Sequence, residues 1–270
     1  MRKSVFSTTV MVIIIAVVYS VNGCSPGNSS VPDVTKVLVM SPDYEFERAV
    51  EVFPLNMQGM EFTPWDVADS TPTQGQLNDF DVVLLFANGS SDNDSNAANA
   101  LHDYVMNGGN VVLATFYYYY RGNGYWGRME SIDPVIGNLI SNSSSYDTLF
   151  FDADHPLRNG VDTLITKYHP TGYSVRPGAT LIASYNNGNW FAAYNKPNGR
   201  ILAINAFPTE FDYGYIPRIE FFRLWENALL FAAWGETSNR PSDNVVPDVP
   251  LGGGGEARIH KNLNRLPAIQ

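Results

Sequence analysis

Two hydroxyls, three histidines and a few carboxylates are the groups in this chain that could do chemistry. Ser41 and Thr115 each follow an apolar run, Lys36-Val37-Leu38-Val39-Met40 and Val111-Val112-Leu113-Ala114, so each would stand at the end of a buried strand. A hydroxyl becomes a nucleophile only with a base in hydrogen-bond reach. The candidate bases are His102, His155 and His169, and His102 falls within a helical pattern that would place it on a surface. Asp152 and Asp154, with Glu210 and Asp212, form two acidic clusters that could supply a carboxylate pair for hydrolysis or for a metal. Asp92, Asp94 and Asn96 imitate the start of a calcium loop. The glycine and distal glutamate of such a loop are missing, and helix capping accounts for these residues. No metal site and no cofactor is expected.

The most unusual local feature is aromatic. Phe116-Tyr117-Tyr118-Tyr119-Tyr120, followed by Tyr125 and Trp126, comes directly after the Val111–Thr115 strand pattern, with Arg121 and Arg128 beside it as groups for an anion. Open α/β sheets expose ligand crevices at their strand C-termini. A tyrosine offers a flat apolar face and a hydroxyl, which suits a sugar ring or a protein partner. The run also reads as alternate tyrosines in the core with ordinary loop between them.

The elements that must position these groups are legible in outline. Lys36–Met40 and Asp81–Phe86 read as strands buried on both faces, and Glu61–Val67 as one of mixed character. Ser41-Pro42-Asp43 opens a helix that runs to about Met57 and is broken or shifted at Pro54. Ser91–Asp94 caps a helix over Asn96–Met106, which Gly108-Gly109 ends. Alternating strands and helices with short connections predict a doubly wound, mainly parallel α/β sheet. Thr148–Phe151, Thr180–Tyr185, Trp190–Tyr194 and Arg200–Asn205 add β-hairpins in the second half, with turns at Asn186–Asn189 and Lys196–Gly199. Ile216–Ala233 is a closing helix with Phe221, Phe222, Leu224, Trp225, Ala228, Leu229 and Ala232 on its inner side. From Glu236 to Gln270 the chain is Pro- and Gly-rich without hydrophobic period, which predicts a disordered tail.

Composition narrows the partners. With 44% hydrophobic and 13% aromatic residues, the 270-residue chain can bury a real core. A net charge of −10 repels phosphate backbones, so nucleic acid is excluded as the expected partner. The single cysteine, Cys24, rules out a disulfide within the chain and a cysteine-based zinc site.

Cys24 has a particular setting. Arg2 and Lys3 precede the apolar run Val10–Val18, which is about half the ~20 residues a membrane span needs. Val21-Asn22-Gly23-Cys24 then resembles the lipobox of bacterial lipoprotein precursors. The resemblance implies a signal peptide over 1–23, lipid on Cys24, and a tether over 24–34. The expected location is the cell envelope, with the folded part on the exported side and the membrane held through the lipid. In a eukaryotic setting Asn28, Asn88, Asn93 and Asn142 would be glycosylation sequons.

Residues 35–235 resemble the class I glutamine amidotransferase-like superfamily, including its trehalose-utilisation-type relatives. Four stretches carry the resemblance: the Lys36–Met40 strand, Asn107-Gly108-Gly109-Asn110-Val111-Val112, Asp154-His155-Pro156-Leu157-Arg158-Asn159-Gly160-Val161, and Gly199-Arg200-Ile201-Leu202-Ala203-Ile204-Asn205. It implies an amidotransferase-like or flavodoxin-like fold, and a turn at His155 in which the ring braces the loop. Catalytic members need a cysteine at the turn after the strand that follows the Gly-Gly join, and a histidine after the late strand. Here those places read Ala114-Thr115-Phe116-Tyr117 and Ala206-Phe207-Pro208-Thr209-Glu210, so the couple that breaks an amide is absent. No catalytic residue is therefore assigned. The expected function is binding of a glycan or an envelope protein at Tyr117, Tyr118, Tyr119, Tyr120, Trp126 and Glu210. A hydrolase using carboxylates near Asp154 and Glu210 is the alternative, and a structural module presenting the C-terminal tail is a third reading.

Overall fold

The computed structural model describes residues 34–121, 126–151, 154–212 and 218–235. Cys24 with the expected lipobox, most of the expected tether, Tyr125, Asp152 and residues 236–270 lie outside the described residues, as does the Asp212 side chain.

Five parallel strands form the centre. They are β1 (Thr35–Ser41), β2 (Met60–Asp66), β3 (Val82–Leu85), β4 (Val111–Ala114) and β11 (Ile201–Ile204). Four antiparallel strands extend the same sheet: β6 (Asp147–Phe151), β7 (Ile165–Thr166), β9 (Thr180–Tyr185) and β10 (Trp190–Asn195). The order is β2-β1-β3-β4-β11-β10-β9-β6-β7. A separate antiparallel pair joins β5 (Val135–Ser143) to β8 (His169–Val175).

Alternation along the central strands divides the core in two. Val37, Val39, Val82, Leu84, Val112, Ala114, Leu202 and Ile204 face helices α1 (Glu45–Asn56) and α5 (Arg218–Trp234). Leu38, Met40, Val83, Leu85, Val111, Leu113, Ile201 and Ala203 face α2 (Gln74–Leu77), α3 (Asp94–Met106) and α4 (Tyr117–Arg121). Helices on both faces make continuous apolar strands the stable choice, because neither face meets water. The sheet is thus the doubly wound, mainly parallel α/β sheet with hairpins that the sequence predicts.

Local chemistry sets the helix ends. The Asp43 carboxylate accepts the N–H of Glu45 at 2.9 Å at the entry to α1. Pro54 lies inside the last turn of α1 rather than before it, and the helix stops two residues later. A proline there removes only one donor near an end that is already open. At α3, Ser91 donates its N–H and its hydroxyl to the two carboxylate oxygens of Asp94, at 3.0 and 2.7 Å. Asp94 thus ties down the loop before α3, whose N-cap residue, Asn93, makes no side-chain cap hydrogen bond.

Candidate functional site

Parallel strands end on one edge, and the strand order reverses direction between β1 and β3, where this class of sheet binds ligands. Four loops meet along that edge. After β1, Ser41 donates its hydroxyl to Asp43 at 3.1 Å, and Asp43 also accepts the backbone N–H of Asn88 in the loop after β3. Burial pushes the Asp43 carboxyl up, opposed by these hydrogen bonds. Ser41 is fully buried and its proton goes to a carboxylate that is occupied as a loop brace.

The loops after β4 and β11 occupy the places where the resemblance puts a nucleophile and a base. Thr115 is fully buried, and its hydroxyl donates to the Asn205 amide oxygen at 3.0 Å. The Asn205 amide nitrogen donates to the carbonyls of Pro170 and Trp190 at 3.1 and 3.2 Å. The Tyr185 hydroxyl bonds Asn205 O and Thr166 Oγ1. An amide oxygen is not a base, so this network holds loops and does not activate Thr115. Phe207 is 5% exposed and stands against Phe86 and Phe116, with ring centroids 5.9 and 5.3 Å apart. An apolar cluster fills the position an imidazole would need. Thr115→Val is expected to cost about 1–3 kcal/mol of stability, because it orphans the Asn205 acceptor, and to leave ligand affinity unchanged. Chemical unfolding and titration of the same variant check both halves.

None of the three histidines faces a hydroxyl as a base would. His102 lies part-covered on α3 with Nδ1 3.1 Å from Asp103 Oδ1. His155 accepts the N–H of Leu157 at 3.2 Å through Nδ1 and sets its ring edge against Phe231 at 4.7 Å, so it braces the loop. His169 is fully buried at the start of β8, stacked on Tyr185 at 4.2 Å, with Nε2 3.3 Å from Asp147 Oδ2. Burial pulls the His169 ring down, and Asp147 opposes it. A histidine kept neutral in the fold contributes stability that is present above its unfolded pKa and is lost as pH falls below that value. His169→Phe keeps the stacking and removes the titration. The stability that the wild type loses between about pH 7 and pH 5 should therefore shrink in this variant, as read by melting temperature against pH.

Among the described residues, the carboxylate pair of the hydrolase reading does not assemble. The Asp154 side chain is 98% exposed and pairs with Arg158 at 3.2 Å. Glu210 is fully buried and accepts the backbone N–H of Lys167 at 2.6 Å. One carboxylate is in open water and the other inside the fold, so they cannot flank one substrate bond. Glu210 is equally unable to rim a surface site.

The aromatic run corrects the sequence expectation by half. α4 turns Tyr117 and Tyr118 inward, where both are fully buried. Tyr117 meets Trp126 at 5.4 Å, and Tyr118 meets Trp190 at 4.9 Å and Tyr173 at 5.9 Å. Trp126 is also fully buried. These three residues are core and cannot offer a face to a ligand. Arg121 turns inward with them, to Asp133 at 3.0 Å, and Arg128 pairs with Asp103 at 2.6 Å, so both cations have partners within the fold.

Tyr119 and Tyr120 stay half-buried, their rings T-shaped at 5.0 Å. They continue into a strip that the sequence reading missed. Half-buried Phe116 lies 6.2 Å from Tyr119 and 6.4 Å from Tyr168. The Lys167 ammonium stands 5.0 Å from the Tyr168 ring and 5.4 Å from the ring of exposed Tyr146. Phe116, Tyr119, Tyr120, Tyr146 and Tyr168 thus make an aromatic strip beside the carboxyl edge, with one cation at its far end. Nothing in the sequence marks its second half: Lys167-Tyr168 is exposed in part only because Thr166 and His169 on either side turn inward in the fold.

No family model matches the chain, and no curated protein matches its sequence. Solved structures do resemble it. A cytoplasmic protein of Salmonella typhimurium aligns with a TM-score of 0.59 at 16% identity, covering 73% of this chain and 99% of that one. A second cytoplasmic protein, from Salmonella typhimurium LT2, aligns with a TM-score of 0.58 at 11% identity over the same shares of both chains. A thua-like protein from Bacteroides uniformis aligns at 0.49 and 14% identity, covering 77% of this chain and 96% of that one. The class defined by the fold is thus a doubly wound α/β domain with an antiparallel extension, and the likeness extends to the fold alone.

Proposed function

We propose that this chain is a non-catalytic member of the amidotransferase-like superfamily that binds a glycan on its aromatic strip, carried at the cell envelope by lipid on Cys24. The observation that carries the binding role is the half-buried strip Phe116–Tyr119–Tyr120–Tyr168 next to the strand ends. Aromatic faces left partly in water hold the apolar C–H faces of sugar rings, and tyrosine hydroxyls at their rims hydrogen-bond sugar hydroxyls. The absent couple supports binding without turnover: Thr115 is a buried structural donor and Phe207 is apolar. An envelope protein seated on the same strip is the alternative occupant. For the anchor, the support is the Val21-Asn22-Gly23-Cys24 pattern behind a short apolar run.

Full-length protein in detergent, titrated against a panel of neutral and acidic oligosaccharides, is expected to retain at least one class. Tyr119→Ala and Tyr168→Ala should each weaken that binding roughly tenfold, the loss of one stacking contact of about 1.4 kcal/mol, with melting temperatures close to wild type. Unaltered affinity in both variants would remove the strip from the account. Fatty-acid labelling that is lost in Cys24→Ala tests the anchor.

A further inference from the structure

The strip has a chemical polarity that narrows its ligand. At the Tyr120 end, burial first, then neighbouring Tyr119, then the carboxylates of Asp43 and Asp94 push the Tyr120 hydroxyl up to about 12. Those two carboxylates are engaged with Ser41, Asn88 and Ser91. At the other end stands Lys167, whose ammonium lies near the rings of both Tyr146 and Tyr168. Two aromatic rings within about 6 Å hold a cation by their quadrupoles and limit where a long side chain wanders. Glu210, from the loop after β11, takes the backbone N–H of Lys167 and adds to the charges that favour its ammonium. The hydrogen bond with Tyr168 raises the Lys167 ammonium above its usual range, so it is charged throughout the physiological interval.

Resting on the glycan reading above, we infer that the strip selects an acidic sugar: a ring stacked on Tyr119 and edged by Phe116, whose ring stands at 81° to it, with the carboxylate of that unit or its neighbour against the Lys167 ammonium. Ring centroids 6.2 and 6.4 Å apart from Tyr119 through Phe116 to Tyr168, then 5.0 Å to the ammonium, place stacking surface and cation within the reach of a short oligosaccharide. The net charge of −10 opposes an anion at long range. At physiological salt, charges are screened beyond about 8 Å, so the local ammonium decides.

The test compares a galacturonate oligomer with its fully methyl-esterified form, which keeps the rings and removes the charge, alongside neutral gluco- and chito-oligosaccharides. Each is titrated onto full-length wild type, Tyr119→Ala and Lys167→Gln. The expected result is at least about fivefold tighter binding of the acid than of the ester, as one charge-assisted contact provides. Lys167→Gln should erase that preference, and Tyr119→Ala should weaken acid and ester alike. Equal binding of acid and ester, or a preference that survives Lys167→Gln, overturns the acidic-sugar inference while the glycan reading stands. A preference for neutral oligomers lost in Tyr119→Ala does the same. Binding by no oligosaccharide overturns both.

Discussion

Gly199→Ala is expected to lower the melting temperature by about 10 °C. Gly199 ends the β10–β11 turn and donates its N–H to Val105 O, at the close of α3, at 2.9 Å. A Cβ there would lie 1.7 Å from Gly109 O, 2.7 Å from Gly109 C and 2.9 Å from Gly108 C. All three are backbone atoms, so no side-chain rotation relieves the overlap. The join is also bonded on either side. Asn198 donates its amide to Met106 O at 2.6 Å, Arg200 N donates to Asn110 Oδ1 at 3.1 Å, and Val111 N donates to Arg200 O at 2.9 Å. Making room for one methyl means parting the α3–β4 join from the start of β11, the middle strand of the nine-stranded sheet. Overpacking of this kind costs on the order of 3 kcal/mol, which at this size shifts melting by about 6–12 °C. Gly188→Ala is the control. Its φ is +83° but nothing lies within 4 Å of its Cβ, so only backbone strain of about 1–2 kcal/mol applies. A shift at Gly199 no larger than that at Gly188 would contradict the packing argument.

Arg121→Met is expected to destabilise the fold by about 3–5 kcal/mol at pH 8 and by less at pH 5. The Arg121 guanidinium donates to Asp133 Oδ2 at 3.0 Å and to Val135 O at 2.8 Å, and lies 5.5 Å from the Tyr173 ring. Asp133 is fully buried and also accepts Val135 N at 2.9 Å. Arg176 adds hydrogen bonds to Asp133 O and Glu130 O, so one polar cluster ties α4, the 127–131 turn and β5–β8 together. Burial pushes the Asp133 carboxyl up to about 6, with Arg121 opposing. A carboxyl raised in the fold contributes stability that is present below its unfolded value and is lost as pH rises through the folded one. Removing the opposing cation raises the folded value further and deepens the loss at pH 8, whereas at pH 5 the protonated acid needs no counter-ion. Urea unfolding of wild type and variant at the two pH values reads the difference. An equal effect at both would mean that lost packing, not the orphaned charge, governs the site.

These effects also show what the sequence could reveal. β1, β3 and β4 were readable because strands covered on both faces are apolar without interruption, and α5 because its inner side carries Phe221, Trp225 and Leu229. β5 and β8 were not readable. Gly137, Asn138, Pro170 and Gly172 break any alternation, and the pair depends on close backbone approach: a Cβ on Gly137 would meet Gly172 O at 2.6 Å. That approach is a property of two strands together and leaves only glycines in either one.

The site divides in the same way. That Thr115 and Phe207 stand where the resemblance points to a cysteine and a histidine was plain, since it concerns residue type at a position in the sequence. The direction of each tyrosine was not. A five-residue run of bulky side chains has no polar contrast to mark its faces, and only the turn of α4 sends Tyr117 and Tyr118 inward and leaves Tyr119 and Tyr120 half in water. Tyr168 and Lys167 follow the edge strand β7, far along the chain from Phe116, and meet the strip only in three dimensions.

The most direct test of binding without turnover is recovery of the retained saccharide. An oligosaccharide captured by the full-length protein is incubated, released and sized by mass spectrometry, in parallel with Tyr119→Ala. The account predicts that the wild type returns the oligomer at its original length and that Tyr119→Ala retains far less of it. Shortened or rearranged product, or retention that ignores Tyr119, would contradict it.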